Sequence, residues 1–169
     1  CGKTQSCTGL LKKLNPEVFM GYKMNMSYYT DSAMLQTMME IPLEKKAGRL
    51  YAPPGKLQMI YFIDDLNMPA LDKYNTQSAI ELIKQKQDYS HWYDRAKIQV
   101  KDIGSTQYLC CMNPTAGSFT VNERLQRHFW TCSVQFPEQS ALNVIYSTFM
   151  KGHFETLQFK VPVQEIGNW

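Results

Sequence analysis

The stretch that most constrains this chain is Leu57 to Pro69, LQMIYFIDDLNMP. An unbroken apolar run, Met59 through Ile63, leads straight into two adjacent carboxylates, Asp64 and Asp65. A short run with aromatic and β-branched members reads as a strand buried on both faces, the kind found in parallel sheets. The charged residues of such a strand belong at its carboxyl end, where open α/β sheets bind ligands. A strand followed by Asp-Asp is also what a nucleotide-hydrolysing site requires. One carboxylate helps to hold Mg²⁺, usually through its waters, and the other orients a water for attack on the terminal phosphate. Taken alone, the same residues read equally well as a core strand ending in a solvated acidic turn.

The amino-terminal residues favour the first reading. Cys1-Gly2-Lys3-Thr4 forms the second half of the phosphate-loop pattern G-x-x-x-x-G-K-[ST]. Gly2 lets the backbone approach phosphates, and Lys3 reaches the β/γ oxygens. Thr4 offers a hydroxyl to the metal at the start of a helix whose N–H groups favour an anion. The pattern's first Gly would fall four residues before Cys1. Gly-Lys-Thr recurs by chance, but here an apolar strand ending in Asp-Asp follows about sixty residues later. One metal site needs both halves, and their pairing points to nucleotide binding.

Bulk properties narrow the class further. The 169 residues suffice for one domain with a sizeable core, and 44% hydrophobic with 20% charged residues is an ordinary globular balance. A net charge of +3 is too small to argue for nucleic acid or a membrane surface. Neither a membrane-spanning run nor a signal-peptide pattern is present, so neither partner is expected. Five cysteines (Cys1, Cys7, Cys110, Cys111, Cys132) without C-x-x-C spacing suggest reduced thiols in a cytosolic compartment. A start in mid-motif without an initiator Met marks the expected piece of a longer polypeptide.

Periodicity supplies the elements. Thr4 to Leu14 spaces Cys7, Leu10, Leu11 and Leu14 for one helical face, and Asn15-Pro16 stops it. Val18 to Met26 reads as a strand. Thr30 or Asp31 then caps a helix through Glu40, lined by Met34, Leu35, Met38 and Met39 as core filler. Pro42 to Gly55 reads as a loop, Asn75 to Gln87 as a helix, and Tyr89 to Asp102 as a small hairpin or surface excursion. Trp92 and Tyr93 in that excursion suit a partner contact, although burial is the commoner fate. Gln107 to Met112 is a second buried strand, running into Asn113-Pro114. Asn113 fits either a hydrogen bond to the attacking water or γ-phosphate, or a simple turn. Val121 to His128 carries Arg124 and Arg127 one turn apart on a helix, where the alternatives are a solvated surface and a charge clamp for a phosphoryl group. Phe129 to Phe136 reads as a further strand, and Pro137 opens a helix with Leu142, Ile145, Tyr146 and Phe149 on one side. From Gly152 periodicity fades.

Strands alternating with helices indicate an α/β domain with a mainly parallel sheet. The order of Gly-Lys-Thr, Asp-Asp strand, strand-Asn and paired Arg resembles the large subdomain of an AAA+ P-loop NTPase. FIDDLNMP, DKYNTQSAIELIKQ, HWYD and CMNPTAGSFTVNERLQRHF are similar to the motor ring of axonemal dynein heavy chains, most of all the third AAA+ module of an outer-arm chain. The resemblance covers residues 1–154 as a large-subdomain fragment, leaving 155–169 as an unassigned tail. It implies a parallel sheet flanked by helices, with the first strand and most of the small helical subdomain missing. ATP or ADP with Mg²⁺ is the implied cofactor. Cys1, Gly2, Lys3, Thr4 and Asp64 would bind the nucleotide, with Thr4 and Asp64 toward the metal, and Asp65 and Asn113 would act in catalysis. Arg124 and Arg127 lie in the region of the arginine finger that serves a neighbouring module. The implied partners are adjacent modules of the same chain, other axonemal dynein chains, and microtubules through the parent chain and not this segment. The implied location is the cytoskeleton of the ciliary or flagellar axoneme. Two departures bear on chemistry and turn geometry. Asp65 stands where a briskly hydrolysing module has Glu, which makes slow hydrolysis, or a regulatory segment holding ADP, the expectation. Asn75 stands where the pattern has Gly after Tyr74.

Overall fold

The computed structural model describes residues 2–113, 115 and 120–156. Cys1, Pro114 and the tail beyond Thr156 lie outside the described residues. The chain forms two compact units, Gly2–Thr131 and the stretch from Cys132 onward.

The first unit is built on three parallel strands, β1 (Phe19–Asn25), β4 (Gln58–Asp64) and β7 (Thr106–Cys110), with β4 in the middle. β1 pairs with β4 along its whole length, from Phe19↔Gln58 to Asn25↔Asp64, and β4 pairs with β7 from Met59↔Thr106 to Ile63↔Cys110. The fully apolar run of β4 is explained by this position. Met59, Tyr61 and Ile63 join the core on one face, while Phe62, buried too, points to the other by strand alternation. Helix α1 (Lys3–Lys13) packs on the Phe62 side, where a Cβ placed on Gly21 would lie 3.8 Å from the Leu11 side chain. Helices α2 (Ser32–Glu40) and α3 (Ser78–Tyr89) supply Leu35, Met39, Ile80 and Ile83 to the other. Asp31 caps α2 by accepting the Met34 N–H at 2.7 Å. Of the expected core methionines, Met39 is fully buried but Met34 is half exposed.

A second, smaller sheet corrects the reading of Pro42–Gly55 as loop. β2 (Glu44–Lys45) and β3 (Leu50–Ala52) form a hairpin around Gly48, which takes φ 60°, and β3 lies parallel to β6 (Val100–Ile103). β5 (His91–Tyr93) completes the order β2-β3-β6-β5, so the expected excursion is a β5–β6 hairpin. Its Trp92 is fully buried, which rules out a partner contact. Short polar strands such as β2 escape periodicity because neighbours, not propensity, hold them.

Helix α3 begins at Ser78, three residues later than the pattern suggests. Asp72 captures the N–H groups of Tyr74 (2.8 Å) and Thr76 (3.0 Å) and the Thr76 hydroxyl (2.7 Å), locking a turn ahead of the helix. Asn75 sits in that turn at φ 58°, a left-handed conformation that Gly adopts freely and Asn tolerates. The arginine-bearing helix shrinks to α4 (Glu123–Gln126), capped by Asn122 and anchored by buried Val121 and Leu125.

Phe129 to Phe136 is not a strand. None of its residues joins a ladder, and Trp130 and Phe136 are exposed. An apolar alternation forms a strand only where a neighbouring edge accepts its N–H and C=O groups. In the second unit, α5 (Gln139–Thr156) runs through Gly152, where the sequence pattern fades; a helix interior accommodates one Gly at about 1 kcal/mol. Ile145, Tyr146 and Phe149 on its apolar side are exposed.

Candidate functional site

Alternation and topology bring the two halves of the motif together. α1 starts at Gly2, whose φ of 81° is the left-handed turn that Gly permits and that swings the chain into the helix. The first N–H groups of α1 have no acceptor within the helix, no side chain caps them and no acidic residue occupies the first turn. An anion arriving there meets donors and no carboxylate from the helix's own first turn. β4 ends at Asp64 against this helix start. The Thr4 hydroxyl donates to Asp64 Oδ1 at 3.1 Å across sixty residues of sequence.

The fit of this pair to a magnesium ion is a matter of distance. Two cis oxygens of a six-coordinate Mg²⁺ with bonds of about 2.1 Å lie roughly 3.0 Å apart. Thr4 Oγ1 and Asp64 Oδ1 are already spaced to occupy, or to hold waters at, neighbouring corners of such a shell. Among the described residues no three His, Cys, Asp or Glu side chains cluster to cage a metal.

Beyond this pair, the expected residues divide. Asp65 follows at the end of β4 in an exposed, left-handed position with φ 55°, so its carboxylate is turned to solvent beyond the strand. Asn113 stands three residues beyond β7. Its Oδ1 accepts from the Thr115 N–H at 3.3 Å and the Thr115 hydroxyl at 3.1 Å, which makes an Asx turn. Lys3, half-buried, is close enough for its charge to act on the Cys111 thiol. Arg124 and Arg127 are not brought to this mouth. Arg127 pairs with Asp88 of α3 at 3.1 Å, alongside His128 at 2.8 Å, and the Lys84 ammonium and Arg127 hold the Asp88 carboxyl below its usual range. Arg124 is exposed, and its guanidinium makes no ion pair among the described residues.

Three contributors were not singled out from the sequence. Lys23 on β1 extends its ammonium to within 3.9 Å of Asp64 Oδ2 and rides over the Phe62 ring at 5.7 Å. A lone charge amid FMGYKMN was the available signal. Asn67, buried in the turn after Asp65, donates to the Asn113 carbonyl at 3.0 Å and ties the end of β4 to the end of β7. Cys111 lies just past β7 with its sulfur 3.5 Å from that of Cys7 in α1. Burial and the Cys7 thiol push the Cys111 thiol up to about 12.

The family model of the P-loop containing dynein motor region matches residues 1–137. The chain belongs to this family. Its relatives include dynein axonemal heavy chain 9 of Homo sapiens, 49% identical over 164 residues, which are 97% of this chain and 4% of that protein. The dynein alpha chain of the flagellar outer arm of Chlamydomonas reinhardtii is 50% identical over 167 residues, covering 98% and 4%. The ciliary dynein beta chain of Heliocidaris crassispina is 51% identical over 140 residues, covering 83% and 3%. The chain therefore spans a small part of each of these dynein heavy chains. Within the matched motor region, Gly2-Lys3-Thr4 carries the second half of the P-loop pattern.

Proposed function

We propose that this segment is an ATP- or ADP-binding AAA+ module in the motor ring of an axonemal dynein heavy chain, and specifically the third module. The single observation that carries the reading is the 3.1 Å contact between Thr4 and Asp64 at the open amino end of α1. Lys3 and the unsatisfied N–H groups of α1 bind the phosphates. Thr4 and Asp64 orient the waters and oxygens of a Mg²⁺ ion, which neutralises charge on the phosphates when bound. Lys23 faces the second Asp64 oxygen at 3.9 Å while the first accepts from Thr4. Asp65 positions a water at the γ-phosphate, helped by Asn113. Arg124, with no carboxylate engaged, serves the site of a neighbouring module, while Arg127 fixes α4 to α3 through Asp88. The full-length protein would then act with its other modules and with axonemal dynein chains in microtubule-based movement of a cilium or flagellum.

A second reading, a regulatory segment that keeps ADP without turnover, draws support from Asp65. Its carboxylate is one methylene shorter than that of Glu, and its left-handed backbone points it to solvent. Both readings require a phosphate site, so one comparison tests them. Nucleotide is extracted from the full-length protein and from Lys3→Ala after ATP incubation and removal of free ADP. One nucleotide fewer per chain in the variant is expected, and equal content overturns the proposal. A rise in the ATP-to-ADP ratio on Asp65→Asn marks a hydrolysing site, and no change marks the regulatory one.

A further inference from the structure

Cys7 and Cys111 are separated by 104 residues in sequence, yet their sulfurs lie 3.5 Å apart. The pairing follows from strand alternation. Cys110 packs with the α2–α3 side of the sheet, and Cys111, one residue on, falls on the α1 side. Cys7 occupies the second turn of α1, three residues after Thr4 and on the helical face turned to the sheet. The four described cysteines are free thiols, and Cys111 is buried while Cys7 is half-buried. Of the pair, Cys7 is therefore the more accessible residue and Cys111 the enclosed one.

We infer that Cys7 and Cys111 form a redox modification site, a disulfide made under peroxide that clamps the phosphate-loop helix to the end of β7. The Cys7 thiolate attacks hydrogen peroxide, forming a sulfenic acid as the O–O bond breaks and hydroxide leaves. The Cys111 thiol then attacks Cys7 Sγ, forming the S–S bond as its proton passes to the departing oxygen, which leaves as water. In sum, two thiols and one peroxide give one disulfide and two waters. A dithiol reductant returns both thiols. Bond formation closes the sulfurs from 3.5 Å to about 2.05 Å and fixes α1 covalently to the residues after β7. That tie acts on the start of the helix that bears Thr4, whose hydroxyl contacts Asp64. The effect on nucleotide rests on the reading above, whereas the cross-link itself does not.

The test uses the full-length protein. It is treated with hydrogen peroxide, alkylated, digested and analysed by mass spectrometry, with wild type, Cys7→Ser and Cys110→Ser in parallel. A Cys7–Cys111 linked peptide is expected in wild type and Cys110→Ser, absent from Cys7→Ser and removed by dithiothreitol. Recovery of both peptides as alkylated free thiols, under doses that oxidise exposed Cys132, would overturn the inference. Nucleotide content is read on the same samples. Its loss on cross-linking and return on reduction support the clamp. Unchanged content in a fully cross-linked protein overturns the clamp, and absence of nucleotide from the reduced wild type counts against the nucleotide reading alone.

Discussion

Two of the regions of the first unit where acidic and basic side chains meet use them in opposite ways. Around Trp92 the polar side chains of Glu40, Gln36, Lys101 and Asp94 are paired with one another and with the indole. Glu40 accepts from Trp92 Nε1 at 2.8 Å, Gln36 Nε2 at 2.9 Å and Lys101 Nζ at 2.9 Å, while Lys101 also reaches Asp94 at 3.0 Å. Gln36 in turn donates to the Tyr93 carbonyl and accepts from Arg95 Nε. This closed network joins α2 to the β5–β6 hairpin and leaves little for a ligand to add. At the carboxyl end of β4 the same residue types stay open. Among the described residues the Asp64 carboxylate has only the Thr4 hydroxyl and a distant Lys23, Asp65 is exposed, and no side chain caps the amino end of α1. Satisfaction marks structure, and polar groups gathered at an open helix start mark a site.

The strongest way to break this contrast is to attack the closed region. Trp92→Ala removes a fully buried indole and should cost about 4 kcal/mol, read as a lowered denaturant midpoint, with nucleotide stoichiometry of the folded fraction unchanged. Loss of nucleotide from still-folded Trp92→Ala would mean that the two regions are not separate.

Lys86 sharpens the comparison, because it is buried without a carboxylate. Its ammonium donates to the Thr106 carbonyl at 3.2 Å and lies 5.2 Å from the Tyr108 ring, and burial pushes its pKa down to about 8. The unfolded chain then holds more protons than the folded one between pH 8 and about 10.4, so stability should rise across that window. Lys86→Met should stabilise the fold by about 1 kcal/mol at pH 7 and flatten that rise, as measured by urea unfolding at pH 7, 8.5 and 10.

The smallest effect is expected at Asp94. Backbone N–H groups of Lys97 and Ala96 and the Lys101 ammonium hold its carboxyl down to about 2. Its contribution is present above the ordinary carboxylate range and fades as pH falls from about 4 toward 2. Asp94→Asn should cost a little stability at neutral pH, where that contribution is full, leave the most acidic end unaltered, and so shallow the acid limb of a stability profile.

The main sheet and the meeting of Thr4 with Asp64 at its carboxyl edge were legible for a shared reason. A strand buried on both faces must be apolar throughout, and a phosphate loop must carry its Gly, Lys and Thr in fixed order, so both leave local marks. The marks of the second sheet are not local. Glu44-Lys45 becomes a strand because Tyr51 and Ala52 lie opposite, and Trp92 is buried because Glu40, fifty-two residues away, accepts its N–H. Phe129–Phe136 fails in the other direction: its alternation is correct, but no edge receives it. Asn75 was legible as a departure from Gly, and its φ of 58° explains what the position demands. The Cys7–Cys111 meeting could not be read from spacing, since it depends on the register of β7 against α1.

The most direct test of the central claim is the unfolding temperature with and without Mg-ADP for wild type, Asp64→Ala and Glu40→Gln. At a hundredfold excess over Kd, nucleotide should stabilise the wild type by about 2.7 kcal/mol. The account predicts that Asp64→Ala loses this increment while its ligand-free stability stays near wild type. Glu40→Gln should keep the increment on a lowered baseline. An Asp64→Ala protein that retains the full increment, or that is destabilised as much as Glu40→Gln without nucleotide, would contradict it.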